Sequence, residues 1–186
     1  MKLNKKGFSY VELVIVMAML LALVTVVSGG ARAAWGARAS RAANSFDTLM
    51  AQSKVNALSG QKNFIQIVYR EKDAAAGYQT DGYYIELYRN GETEPYKSEN
   101  VANNRIHISF GEEEIGEDKA IRIAFNSSTG AVECAETVAA NAELPASVDD
   151  LSDPSSVENE TKIYFTFGNT SCVTLYKLTG EHMVTH

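Results

Sequence analysis

The chain has 186 residues, with 23 Asp and Glu against 17 Lys and Arg, a formal net charge of -6, and two cysteines. An acidic balance argues against nonspecific nucleic-acid binding, which draws its affinity from Lys and Arg on phosphates. Beyond Gly30 the sequence has no further membrane-length apolar run, which indicates one apolar segment followed by one globular portion of ordinary size.

The first element is the run from Lys5 to Val27, Lys-Lys-Gly-Phe-Ser-Tyr-Val-Glu followed by uncharged, almost wholly apolar residues. A helix over Phe8 to Ser28 would be about 30 Å long, enough for a bilayer core. Glu12 sits just inside it. An acid at the centre of an inserting helix costs roughly 2.5 to 3.5 kcal/mol, and less near its end. Such a residue needs a partner. Cleavage after Gly7 would give Phe8 a free α-amino group, largely protonated at neutral pH with an ordinary pKa of about 7.7 to 8.0. Glu12 would then lie about one helical turn from that amine, or opposite the amine of a neighbouring copy.

Lys5, Lys6, Gly7, Phe8, Glu12 and the apolar run resemble the processing site of the type IV pilin and pseudopilin superfamily. The resemblance implies cleavage between Gly7 and Phe8 by a prepilin peptidase, N-methylation of Phe8, and a register role for Glu12 as subunits enter a helical filament. Ser9 and Tyr10 stand where Thr-Leu is commonest in that family. The implied partners are other pilin or pseudopilin subunits, the prepilin peptidase/methyltransferase, an inner-membrane assembly platform and the lipid bilayer, without direct nucleic-acid contact. The implied location is the bacterial cytoplasmic membrane, single-pass with the C-terminal portion outside, and then an extracellular or periplasmic filament. The competing reading is a secreted or membrane-anchored binding domain with an ordinary signal peptide or anchor. Glu12, the length of the uncharged run from Leu13 to Ala31, and the following Arg32, Arg38 and Arg41 weigh against a signal peptide.

From Ala31 to Leu58 there is no proline, and Trp35, Ala39, Ala42, Phe46, Leu49 and Ser53 recur at helical spacing. This stripe predicts an amphipathic helix, with Gly29-Gly30 weakening the junction before it by about 1 kcal/mol per glycine relative to alanine. After Gly60 the period shortens to two. Strands are expected near Phe64 to Tyr69, Tyr83 to Tyr88, Arg105 to Phe110, Ala120 to Phe125, Lys162 to Phe167 and Cys172 to Leu178. The expected architecture is therefore α+β and pilin-like: a long N-terminal helix, membrane-spanning in its first half and amphipathic in its second, packed on an antiparallel β-sheet domain. The expected divisions are a leader at 1–7, a filament-core helix at 8–30, an amphipathic continuation at 31–60 and an exported β-rich domain at 61–186. The ending from Val173 to Gly180 loosely resembles the last strands of H-type pseudopilins, which implies a minor subunit.

Two loops are acidic. Gly111 to Lys119 reads as a solvated hairpin tip, and Ala139 to Thr161 as a mobile or subunit-contacting loop. Carboxylates could hold calcium in the longer one, but EF-hand spacing is absent and no metal or other cofactor is assigned. Cys134 and Cys172 form a candidate intramolecular disulfide across it. His107 alternates with Ile106 and Ile108 and is expected to face solvent. No nucleophile elbow, phosphate loop or zinc motif occurs, and no enzyme activity is assigned.

Overall fold

The structure, a computed structural model, describes residues 10–151 and 159–186, with the side chains of 23–36, 149 and 150 left aside. Helix α1 (Tyr10–Leu58) comes first and runs through Gly29-Gly30 without a break. Its end is set locally. The Gln61 N–H donates to Asn56 O at 3.0 Å and the Gly60 N–H to Ala57 O at 2.9 Å, with Gly60 at a φ of 84°. That is a Schellman closure, and glycine takes its left-handed position without steric cost. The turn leads straight into the first strand, where the Asn63 side chain donates to Ser53 O and Gln61 O while accepting from the Ser53 hydroxyl.

Among the described residues ten strands follow: β1 (Asn63–Arg70), β2 (Gly82–Arg89), β3 (Lys97–Ala102), β4 (His107–Phe110), β5 (Glu113–Ile115), β6 (Lys119–Phe125), β7 (Val132–Ala139), β8 (Glu160–Phe167), β9 (Asn169–Tyr176) and β10 (His182–Thr185). A 3-10 turn, Val148–Leu151, lies between β7 and β8. The strands make two five-stranded sheets, ordered β3-β2-β1-β6-β7 and β10-β9-β8-β4-β5. Every strand pair is antiparallel.

This corrects the expected pilin-like α+β architecture. The globular portion is mostly antiparallel β and holds two sheets where one was expected. Among the described residues no helix is long and apolar enough to cross a membrane. The physical reason for the second sheet lies in the apolar runs, which supply more inward-facing area than one sheet could bury against one helix. Ile65, Ile67, Ile85, Leu87, Ile121 and Ile123 from the first sheet share a core with Ile108, Ile163, Phe165, Val173 and Leu175 from the second. The buried stripe of α1 (Ala39, Ala42, Ala43, Phe46, Leu49, Met50) joins both. Phe46 meets Phe165 with ring centroids 5.8 Å apart.

The loops also differ from expectation. The acidic segment Gly111 to Lys119 contains β5, an edge strand that pairs Ile108 with Ile115 and Phe110 with Glu113. Ile115 is fully buried, and its carbonyl accepts the Tyr83 hydroxyl of the first sheet at 2.8 Å. Glu113 and Glu114 remain exposed. Of the longer loop, residues 152–158 lie outside the described residues. Its earlier part covers the far side of the first sheet, where Val148 and Leu151 join a second cluster with Phe64, Tyr88, Ala124 and Cys134. With both faces covered, Asn63 to Val68 of β1 are buried without interruption.

Candidate functional site

Two regions carry the functional question: the N-terminal part of α1 and the covered face of the first sheet. Along α1, Tyr10 to Ala22 are all exposed, including Tyr10 at 81% and Leu21 at 69%. The same helix is buried at Ala39 and beyond. A helix apolar on every side is stable only within an apolar surrounding, such as a bilayer or a bundle of other helices. Glu12 is the acid in its first turn. Gly7 and Phe8, the expected processing residues, lie outside the described residues.

The structure does not join Cys134 and Cys172 in the expected disulfide. Cys134 is fully buried on β7 in the second cluster, while Cys172 lies half-buried on β9, opposite Tyr164 of β8 and Thr185 of β10. The two strands belong to different sheets, and each cysteine alternates with core residues of its own strand, Ala135 and Val173 respectively. Both thiols therefore point away from the shared core, in a geometry unsuited to a bond that needs Cβ atoms within about 4.5 Å.

Sequence periodicity did not disclose the polar layer on the covered face. Glu86 is completely buried and accepts four hydrogen bonds: Arg70 Nε at 2.9 Å, Arg70 Nη2 at 2.8 Å, the Tyr78 hydroxyl at 2.7 Å and the Tyr88 hydroxyl at 2.7 Å. A buried carboxylate persists only when paired and hydrogen-bonded, and this arrangement meets both conditions. The bond to Glu86 pushes the Arg70 pKa further up. Burial, followed by the bond to Glu86, raises Tyr78 to about 12. Burial and the Glu86 charge raise Tyr88 as well. Nearby, Arg122 is 5% exposed, with Nε on Gln66 Oε1 at 2.8 Å and Nη2 on Ala142 O at 3.1 Å. Desolvation lowers its pKa.

Above this layer lies a half-open cavity of about 630 Å³, with Gln66, Arg70, Tyr84 and Tyr88 among the residues from the sheet and Ala76, Tyr78, Pro95 and Asn141 among those from the surrounding loops. All the acceptor capacity of Glu86 is engaged internally, so it serves as an anchor and not as a free base. A signal for this layer does exist in the sequence. Gln66, Glu86 and Arg122 each interrupt an otherwise apolar strand. The alternation expected of a one-sided sheet assigns such residues to solvent. His107 is exposed and faces Glu114 at 2.7 Å. Among the described residues there is no group of three or more metal-ligating side chains.

No known protein family, characterised protein or solved structure matches this chain.

Proposed function

We propose that the chain is a structural subunit of a helical filament of the type IV pilus or type II secretion pseudopilus kind. It is processed after Gly7, N-methylated at Phe8 and incorporated through its N-terminal helix, as a minor subunit in keeping with the resemblance of its ending to H-type pseudopilins. The observation that carries the reading is the division of α1. Tyr10 to Ala22 leave an almost entirely apolar surface exposed, while the stripe from Ala39 to Ala57 is consumed inside the body. The exposed part therefore has its partners outside this chain. Its apolar surroundings are first the lipid bilayer and then the equivalent helices of neighbouring subunits.

Glu12 gives that association its register. A carboxylate aligned with a subunit amine is neutralised, whereas a misaligned one stays unpaired in a low-dielectric bundle. The other partners in this reading are the prepilin peptidase/methyltransferase and an inner-membrane assembly platform. The reading rests on the N-terminal sequence and the helix, and does not depend on the expected single-sheet architecture.

Mass spectrometry of the mature chain tests it. The expected N-terminus is Phe8 carrying one methyl group, and a mature chain beginning near Ala34 would sink the proposal. Substitution of Gly7 is expected to leave the leader attached, visible as an unprocessed mass.

A further inference from the structure

At the point where α1 enters the body, three arginines stand without a carboxylate. Arg38 immediately precedes Ala39, the first described helix residue to be buried, and Arg41 follows one turn later. Both are exposed, as is Arg105 in the turn after β3. Between Arg38, Arg41 and the segment Asn100–Asn103 with Ile106 lies a small cavity of about 160 Å³. Among the described residues none of the three arginines forms an ion pair. Four other cations do have carboxylate partners: Arg70 with Glu86, Arg89 with Glu92, Lys119 with Glu113 and Lys162 with Glu160. Arg38 and Arg41 line this cavity, and Arg105 directly precedes Ile106 of its lining; in a chain with net charge -6, such unpaired arginines mark a surface for an anion.

The helix says where that surface lies. The uncharged run from Leu13 to Ala31 is about 28 Å long at 1.5 Å per residue, close to the thickness of a hydrocarbon core. Arg38 and Arg41 then stand about 10 to 15 Å beyond its end, just above a headgroup layer of about 5 to 7 Å. Helical side chains lean toward the N-terminus, which directs both arginines back toward that layer. Guanidinium groups suit phosphate oxygens.

We propose that Arg38, Arg41 and Arg105 form a collar that seats the body on the phosphodiester headgroups of anionic lipid while the subunit waits in the bilayer. The inference rests on the membrane-held subunit reading above and adds a lipid requirement to it. Extraction into a filament would then have to break these contacts, so lipid charge would set how readily the subunit leaves.

The test uses the full chain in nanodiscs of phosphatidylcholine alone or with phosphatidylglycerol, followed by hydrogen exchange across residues 100–106. Exchange is expected to slow by about fivefold or more in the anionic discs, given the attraction of an arginine near such a surface. The slowing should disappear in an R38Q/R41Q/R105Q variant and persist in the matching triple lysine variant, which also shows that the body still folds. Equal exchange in both discs, or slowing retained in the glutamine variant, overturns the inference. Equal slowing by inorganic phosphate in neutral discs would identify a free-anion site instead. Slowing that tracks protein-to-disc ratio would identify a second copy as the partner, and either result overturns the lipid assignment. Failure to enter discs of either composition overturns the subunit reading as well, whereas entry without lipid-dependent slowing overturns this inference alone.

Discussion

Glu86 shows at the scale of one residue how a charged side chain can be spent on structure. Its four donors come from β1, β2 and the loop between them, so the carboxylate ties Arg70 and Tyr78 to Tyr88 across one sheet face. Glu86→Gln keeps the shape but presents an amide donor where only acceptors fit, and it strips Arg70 of its partner. The expected loss is about 2 to 3 kcal/mol, below the full range for a buried pair because Arg70 is partly solvated, and urea unfolding would measure it. The same network predicts an alkaline response. Tyr78 ionises at an ordinary pKa of about 10 when unfolded and at about 12 when folded, so the unfolded state loses its proton first. Its contribution is complete below pH 10 and is lost as pH rises from about 10 to about 12. Chemical denaturation across that window should show declining stability, and Tyr78→Phe should flatten the decline. The two thiols supply a further test. Without reductant, a maleimide should label half-buried Cys172 readily and buried Cys134 only after denaturation, whereas a chain resistant to both would contain the bond that the structure lacks.

At the scale of elements, close backbone approaches fix how the last strands return to the body. Gly180, at a φ of 59°, lies so near the turn after β6 that a Cβ placed there would stand 2.0 Å from Gly130 O. Gly180→Ala is therefore expected to cost about 1 to 3 kcal/mol through strain and clash, readable as a lower melting temperature. Alanine at Gly60, where a Cβ would meet open space, should cost about 1 kcal/mol from conformation alone. The inner strands were legible because Ile65/Ile67, Ile121/Ile123 and Ile163/Phe165 alternate or repeat strongly enough to show period two. The edges were not. β3 and β7 border the first sheet with the polar sequences Lys-Ser-Glu-Asn-Val-Ala and Val-Glu-Cys-Ala-Glu-Thr-Val-Ala, and polar edges discourage pairing with other chains. That protection is also what hides them from hydrophobic pattern reading.

On the scale of the whole molecule, one helix serves two environments. Its C-terminal half is core for both sheets, and its N-terminal part, Tyr10 to Ala22, leaves an apolar surface exposed. In the proposed filament, Glu12→Ala should leave cleavage after Gly7 intact while reducing incorporation by tenfold or more, if an unmatched charge costs about 1.4 kcal/mol or more in the bundle. Quantifying the variant in sheared filaments against its membrane pool would decide this, and normal incorporation would remove the register role.

By itself the sequence determined the stripe that α1 buries and the inner strands, because each depends on residues near one another in the chain. Spacing along the chain suffices to place such residues on a face. Only the tertiary structure decided that the strands divide between two sheets, that Cys134 and Cys172 lie apart, and that Gln66, Glu86 and Arg122 are buried. Those outcomes depend on which face a distant segment covers, and Val148 and Leu151 cover the one that alternation had assigned to water.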